Sequence, residues 1–170
     1  MFNFLRVNGK RSIFALIISI AIAQGIGLLS TLLTRNSFEI YQTLTKPWFA
    51  PPQWVFGPVW TILFVLMGLA AYRVWMSGYY HPFGFTDQMR RALTLYGIQF
   101  VFNFLWSILF FRFQWYGIAL IDLLILLALI IITAREFYKI DRLAGLLMIP
   151  YIVWVSFAGI LNYYIWILNR

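Results

Sequence analysis

Five acidic residues, one histidine and no cysteine are all that the 170-residue chain offers for acid–base, metal or thiolate chemistry. Asp122 is the only acid that falls deep inside an apolar run, so no carboxylate pair can be assembled. His81 lies between two such runs and reads as a solvated loop residue. Thiolate catalysis, thiolate metal sites and disulfides are excluded outright. Met67 is the one sulfur at a suitable depth for a haem iron, and no glycine-rich phosphate loop is present. What the chain has instead is eight Trp, ten Tyr and seventeen Phe. Indole and phenyl faces stack on flat apolar molecules, and a few amides fix their orientation. The chemistry to expect is binding, not ordinary turnover.

Helical phase gathers these residues. Phe56, Trp60, Phe64 and Met67 share one face of their run, Gln99, Asn103, Trp106 and Phe110 a second, and Tyr151, Trp154, Ala158 and Asn162 a third. If the three faces meet, they enclose an aromatic cavity with a few amides, suited to a flat, largely apolar ligand. Each residue also has a structural reading. Trp60, Trp106 and Trp154 suit core packing as well as ligand lining, and Gln99 and Asn103 suit hydrogen bonding between helices. An ionised Asp122 at mid-span would cost ~2.5–3.5 kcal/mol, so it is expected to face inward and find an amide or indole partner. Trp48, Trp54, Trp75, Trp115 and Trp166 stand near run ends, where interfacial anchoring explains them.

These faces must be carried by membrane helices. Hydrophobic residues make up 63% of the chain and charged ones 11%, against ~25% charged in a soluble domain. The net charge of +8 does not imply nucleic acid, because the cations are scattered at the ends of apolar runs rather than drawn into a stripe. Five runs of spanning length follow one another, over about 13–33, 54–75, 92–111, 115–134 and 143–168. A lipid environment leaves only helices or closed barrels, and runs this long exclude the barrel. The expectation is an all-α, polytopic bundle of five transmembrane helices forming a single domain over 1–170.

Several boundaries carry information of their own. The basic start followed by Ala21-Ile22-Ala23 imitates a signal peptide, but the apolar run continues through Leu33, which favours a retained helix. Gly25, Gly27, Gly68 and Ala71 offer small-residue faces for close helix contact or self-association. Residues 34–53 form the longest connection, with Pro47, Pro51 and Pro52 holding its end in extended or turn geometry. Nine of the thirteen Lys and Arg residues fall on one side and four on the other. The positive-inside rule therefore puts the N-terminus in the cytoplasm and the proline-bearing loop outside, in a cell membrane.

Three stretches, YQTLTKPWFAPPQWVFGPVW, QFVFNFLWSILFF and IPYIVWVSFAGILNYYIW, carry a resemblance to the tryptophan-rich sensory proteins. These are the bacterial branch of the translocator protein (peripheral-type benzodiazepine receptor) family, and the resemblance covers essentially the whole chain. It implies a five-helix bundle, commonly a homodimer, that binds porphyrins of the protoporphyrin IX kind and hydrophobic drugs. No obligatory cofactor is implied. Carried over, the ligand-contacting positions are Trp48 or Phe49, Trp60, Phe64, Asn103, Trp154 and Ala158, with Gln99, Trp106 and Leu161 nearby. Phe56 joins this set by helical phase and Asp122 by its depth in the fourth run. The chain departs from the family at Phe49, where Trp is common, at Ala50, and at Ile167, where animal members carry the basic residue of their sterol motif. Leu161, Tyr164 and Arg170 still satisfy the loose cholesterol pattern. Some members are associated with light-dependent porphyrin breakdown, which would make Trp60 and Trp154 candidate photoreactive residues. The expected function is a membrane tetrapyrrole-binding protein acting as sensor, carrier or scavenger. The alternatives are a regulatory protein that modulates a partner and a transporter of small hydrophobic molecules such as sterols.

Overall fold

A computed structural model describes residues 5–170. Helix α1 is Ile13–Leu33, α2 is Ser37–Thr43, α3 is Phe56–Tyr79 and α4 is Asp87–Ser107. Helix α5 is Tyr116–Ile140, α6 is Arg142–Leu147 and α7 is Ile149–Leu168. Five segments are long and apolar enough to cross a membrane: Ile13–Leu33, Gln53–Tyr79, Asp87–Arg112, Tyr116–Ile140 and Arg142–Leu168. The all-α polytopic architecture is therefore as the sequence predicts, and the first span has the expected bounds.

The other spans are longer than hydropathy alone suggests. The third begins five residues earlier, at Asp87, because the Thr86 side chain accepts from the Met89 N–H and caps the helix. Arg90 and Arg91, expected in a loop, are thus helical. The fourth continues to Ile140, so the polar stretch from Arg135 is the last turns of α5, and the chain reverses at Asp141. Polar residues at a helix end lie in the headgroup region, where hydropathy falls but the helix need not stop. Pro150 has a sharper effect than expected. It falls in the first turn of α7, where its missing N–H costs nothing, and the fifth span divides there into α6 and α7 about Met148.

Packing follows the short turns, with α4 along α5 and α5 along α7, while α1 lies along α3. The α1–α3 contact depends on two glycines. A side chain at Gly27 would enter the Phe64 ring, and one at Gly68 would lie 2.7 Å from the Ile20 Cα. Of the two uses expected of these small residues, close helix contact is the one that Gly27 and Gly68 serve, and Ala71 is buried within the chain. Gly25 has open space around it.

The connection from α1 to α3 is also more structured than expected. It contains helix α2, and Lys46 folds back to donate to the carbonyls of Tyr41 (2.7 Å), Gln42 (3.2 Å) and Leu44 (3.0 Å). Those carbonyls would otherwise be orphans at the α2 C-terminus. Tyr41 donates to the Pro51 carbonyl at 2.9 Å, and burial holds its phenol above the usual range. Thr45 and Asn169 exchange two hydrogen bonds of 2.9 Å, fastening the loop to the end of α7.

Candidate functional site

Near the end of the bundle that carries this connection, α1, α3 and α4 part to leave a cavity of about 260 Å³. Phe56, Trp60 and Phe64 of α3 and Trp106 of α4 supply its aromatic wall, with Phe111 closing one side. Trp60 and Phe64 are stacked at 5.5 Å and 28°, and Phe64 stacks on Phe100 at 6.2 Å and 25°. The three rings therefore run nearly parallel, from the cavity into the core. Residues one turn apart on a helix project to one face, which is why the i, i+4 pair Trp60 and Phe64 can stack.

The polar groups are arranged in pairs. Asn103, at the cavity wall, donates to the Tyr151 hydroxyl at 2.9 Å, and the Tyr151 ring supports Trp60 edge-on at 6.1 Å. The Trp106 indole N–H donates to Asn162 Oδ1 at 3.1 Å, and the Asn162 amide donates to the Tyr116 carbonyl at 2.8 Å. Asn103 and Trp106 thus line the cavity while being oriented from α7. Gln24, the polar break in α1, lines the opposite wall and donates to the Thr61 carbonyl at 2.9 Å.

Of the residues singled out from the sequence, Phe56, Trp60, Phe64, Asn103 and Trp106 are brought together here. The α7 residues stand behind a partition. Ala158 and Leu161 line a separate void of about 20 Å³, divided from the larger cavity by Phe56 and Trp106. Trp154 packs against Phe56 at 5.9 Å, away from the cavity. The loop pair also lies outside it. Trp48 is 96% exposed, and Phe49 packs on Phe157 and Tyr164 of α7, because the Thr45–Asn169 bonds draw this part of the loop to that helix.

Gln99 and Asp122 are buried elsewhere in the bundle. Gln99 is fully enclosed one turn below Asn103, and neither end of its amide has a hydrogen-bond partner among the described residues. Asp122 faces inward as expected, but Oδ2 has no partner among the described residues. Neither of the partners expected for it, an amide or an indole, reaches that oxygen among the described residues, and the Trp106 indole is bonded to Asn162. The sequence reading missed the α1 wall, including Gln24, Gly27 and Thr31, together with Thr61 and Ser107. A single glutamine interrupting a spanning run was the available signal for Gln24.

Among the described residues no group of three His, Asp or Glu side chains could hold a metal. The only histidine, His81, belongs to the loop after α3, at the opposite end of the bundle.

The architecture and this cavity define a class: an all-helical, multi-pass membrane protein with an aromatic chamber near one end of the bundle. Residues 18–167 match the model of the TspO/MBR family, and the chain belongs to that family. It is 36% identical over 159 residues to a "Tryptophan-rich protein TspO" of Archaeoglobus fulgidus, covering 93% of this chain and 99% of that one. It is similar to the human "Translocator protein", with 38% identity over 126 residues, 74% of this chain and 72% of the relative. A "Tryptophan-rich sensory protein" of Cereibacter sphaeroides is 36% identical over 125 residues, again 74% of this chain and 73% of its own length.

Proposed function

We propose that the protein binds tetrapyrroles in the chamber between α1, α3 and α4, acting as a sensor, carrier or scavenger within the membrane. The observation that carries this reading is the parallel Trp60–Phe64 pair on the chamber wall, with the Asn103 amide beside it. That combination suits a flat conjugated ring better than a bulky aliphatic one. The chain has no cysteine, and its single histidine is remote from the chamber. The site therefore has no imidazole or thiolate for an axial haem bond and favours the metal-free ring. Tryptophan quenching with protoporphyrin IX and with haem tests this. The metal-free porphyrin is expected to bind more tightly, and markedly tighter haem binding contradicts the reading. The cation asymmetry supports an orientation with the α1–α3 connection outside and the N-terminus in the cytoplasm.

A photochemical role would fall to Trp60, which lines the chamber, rather than to Trp154, which stands behind Phe56. An indole touching an excited porphyrin is an electron donor to it. Illumination of the complex should bleach porphyrin more slowly in Trp60→Phe than in wild type, with Trp154→Phe unchanged. Equal rates in all three proteins would show that Trp60 has no photochemical role.

A further inference from the structure

The chamber does not end at its aromatic wall. A groove of about 310 Å³ adjoins it and shares Thr34, Ser37 and Phe111 with it. Two arginines line this groove: Arg35, in the turn that follows α1, and Arg112, the last residue of the π-helical turn Ile108–Arg112 that ends the third span. Both are exposed, and neither takes part in an ion pair or a ring contact among the described residues. The two remaining cations at this end are committed elsewhere. Lys46 caps α2, and the Arg170 guanidinium lies 4.6 Å from the centre of the Trp166 ring. Glu39 of α2 is the one acid at this end outside the membrane helices, and it makes no ion pair with either arginine.

A cationic groove that opens onto an aromatic chamber suits a ligand of two parts, a flat apolar body and an anionic edge. Guanidinium groups match oxyanions in shape and charge, and such pairs are stronger where water is partly excluded. We propose that Arg35 and Arg112 form an oxyanion subsite at the mouth of the chamber. It takes the carboxylate-bearing edge of a flat ligand whose rings lie against Trp60 and Phe64. This assignment rests on the tetrapyrrole reading above and adds a selectivity to it: dicarboxylic porphyrins over their esters.

The test uses the full chain in nanodiscs of zwitterionic lipid, titrated with protoporphyrin IX and with its dimethyl ester. Wild type is expected to favour the diacid by about tenfold. Arg35→Gln and Arg112→Gln should each reduce that preference, and the double variant should abolish it while ester affinity stays unchanged. Arg170→Gln, with its guanidinium held over Trp166, should behave as wild type. Thermal midpoints matched to wild type would confirm that the variants fold. A diacid preference that survives in the double variant overturns the subsite while leaving the chamber intact. If neither porphyrin form binds, the tetrapyrrole reading fails and the subsite falls with it. A lipid phosphate as the true occupant would give equal binding of diacid and ester. Anionic phosphatidylglycerol would then stabilise wild type but not the double variant, which also overturns the proposal.

Discussion

Asn162 uses both ends of its amide inside the bundle, accepting from the Trp106 indole and donating to the Tyr116 carbonyl. It thereby joins α4, α5 and α7 around the back of the chamber wall. Asn162→Leu should lower stability by about 1–2 kcal/mol, because it strands a buried indole N–H and removes a partner from a carbonyl. Thermal unfolding in detergent measures this, and an unchanged midpoint would show the two bonds to be dispensable. Trp106→Phe, which removes the N–H but keeps an aromatic ring, should cost less. Asn162 was legible in the sequence as one of the deep amides, on the same face as Trp154 and Ala158. Its partners were not legible, because helical phase says which face a side chain occupies but not which of several polar groups it will meet. The same limit explains Asp122, whose burial followed from its position, whereas the amide or indole expected beside it does not reach its Oδ2 among the described residues.

Arg73 of α3 donates twice to Asp141, from Nε to Oδ1 at 2.8 Å and from Nη2 to Oδ2 at 2.7 Å. Asp141 Oδ1 also accepts from the Ala144 N–H at the start of α6, so one carboxylate joins α3 to the corner between α5 and α6. Burial pushes the Asp141 carboxyl up, but the Arg73 and Ala144 hydrogen bonds outweigh it and hold the group below its ordinary value. A depressed carboxylate contributes stability above its unfolded value of ~3.9 and loses it as pH falls through the folded one. Wild type should therefore lose stability on acidification below about pH 4. Asp141→Asn should be less stable by about 3 kcal/mol near neutrality, with a flatter acid limb. Parallel acid limbs in the two proteins would contradict this. The α1–α3 contact makes a second prediction. Gly68→Ala should cost about 1–3 kcal/mol, since the neighbouring Ile20 Cα belongs to a backbone that cannot turn aside. Gly25→Ala, with open space around it, should stay within about 0.5 kcal/mol of wild type. Small-residue spacing pointed to close helix contact at these glycines without saying whether the partner lay in the same chain. The course of the fifth span was partly legible through Pro150. Helix α2 was not, because seven residues leave too little periodicity to stand out beside the prolines that follow.

The five-span bundle could be read from composition and run length alone, because lipid leaves so few ways to satisfy the backbone. The chamber could be read only in part. Three aromatic faces were expected to enclose one cavity, and the faces of α3 and α4 meet at the chamber. The α7 face is set back behind Phe56 and Trp106, and α1 supplies the opposite wall. Hydropathy treats α1 as a nearly featureless apolar run, so its part in the site depended on how it packs, through Gly27 and Gly68, against α3. The central claim is that a flat ligand occupies this chamber, and neighbouring positions on α3 separate it from the lipid-facing surface. Thr61 lines the chamber, whereas the next residue, Ile62, is exposed on the outside of the bundle and does not. Porphyrin titration of Thr61→Trp and Ile62→Trp, followed by porphyrin absorbance, is the most direct measurement. The indole at 61 should fill the chamber and weaken binding by about tenfold or more, while the same indole at 62 should leave binding unchanged. Equal affinities in the two variants, or a loss confined to position 62, would place the ligand elsewhere and contradict the account.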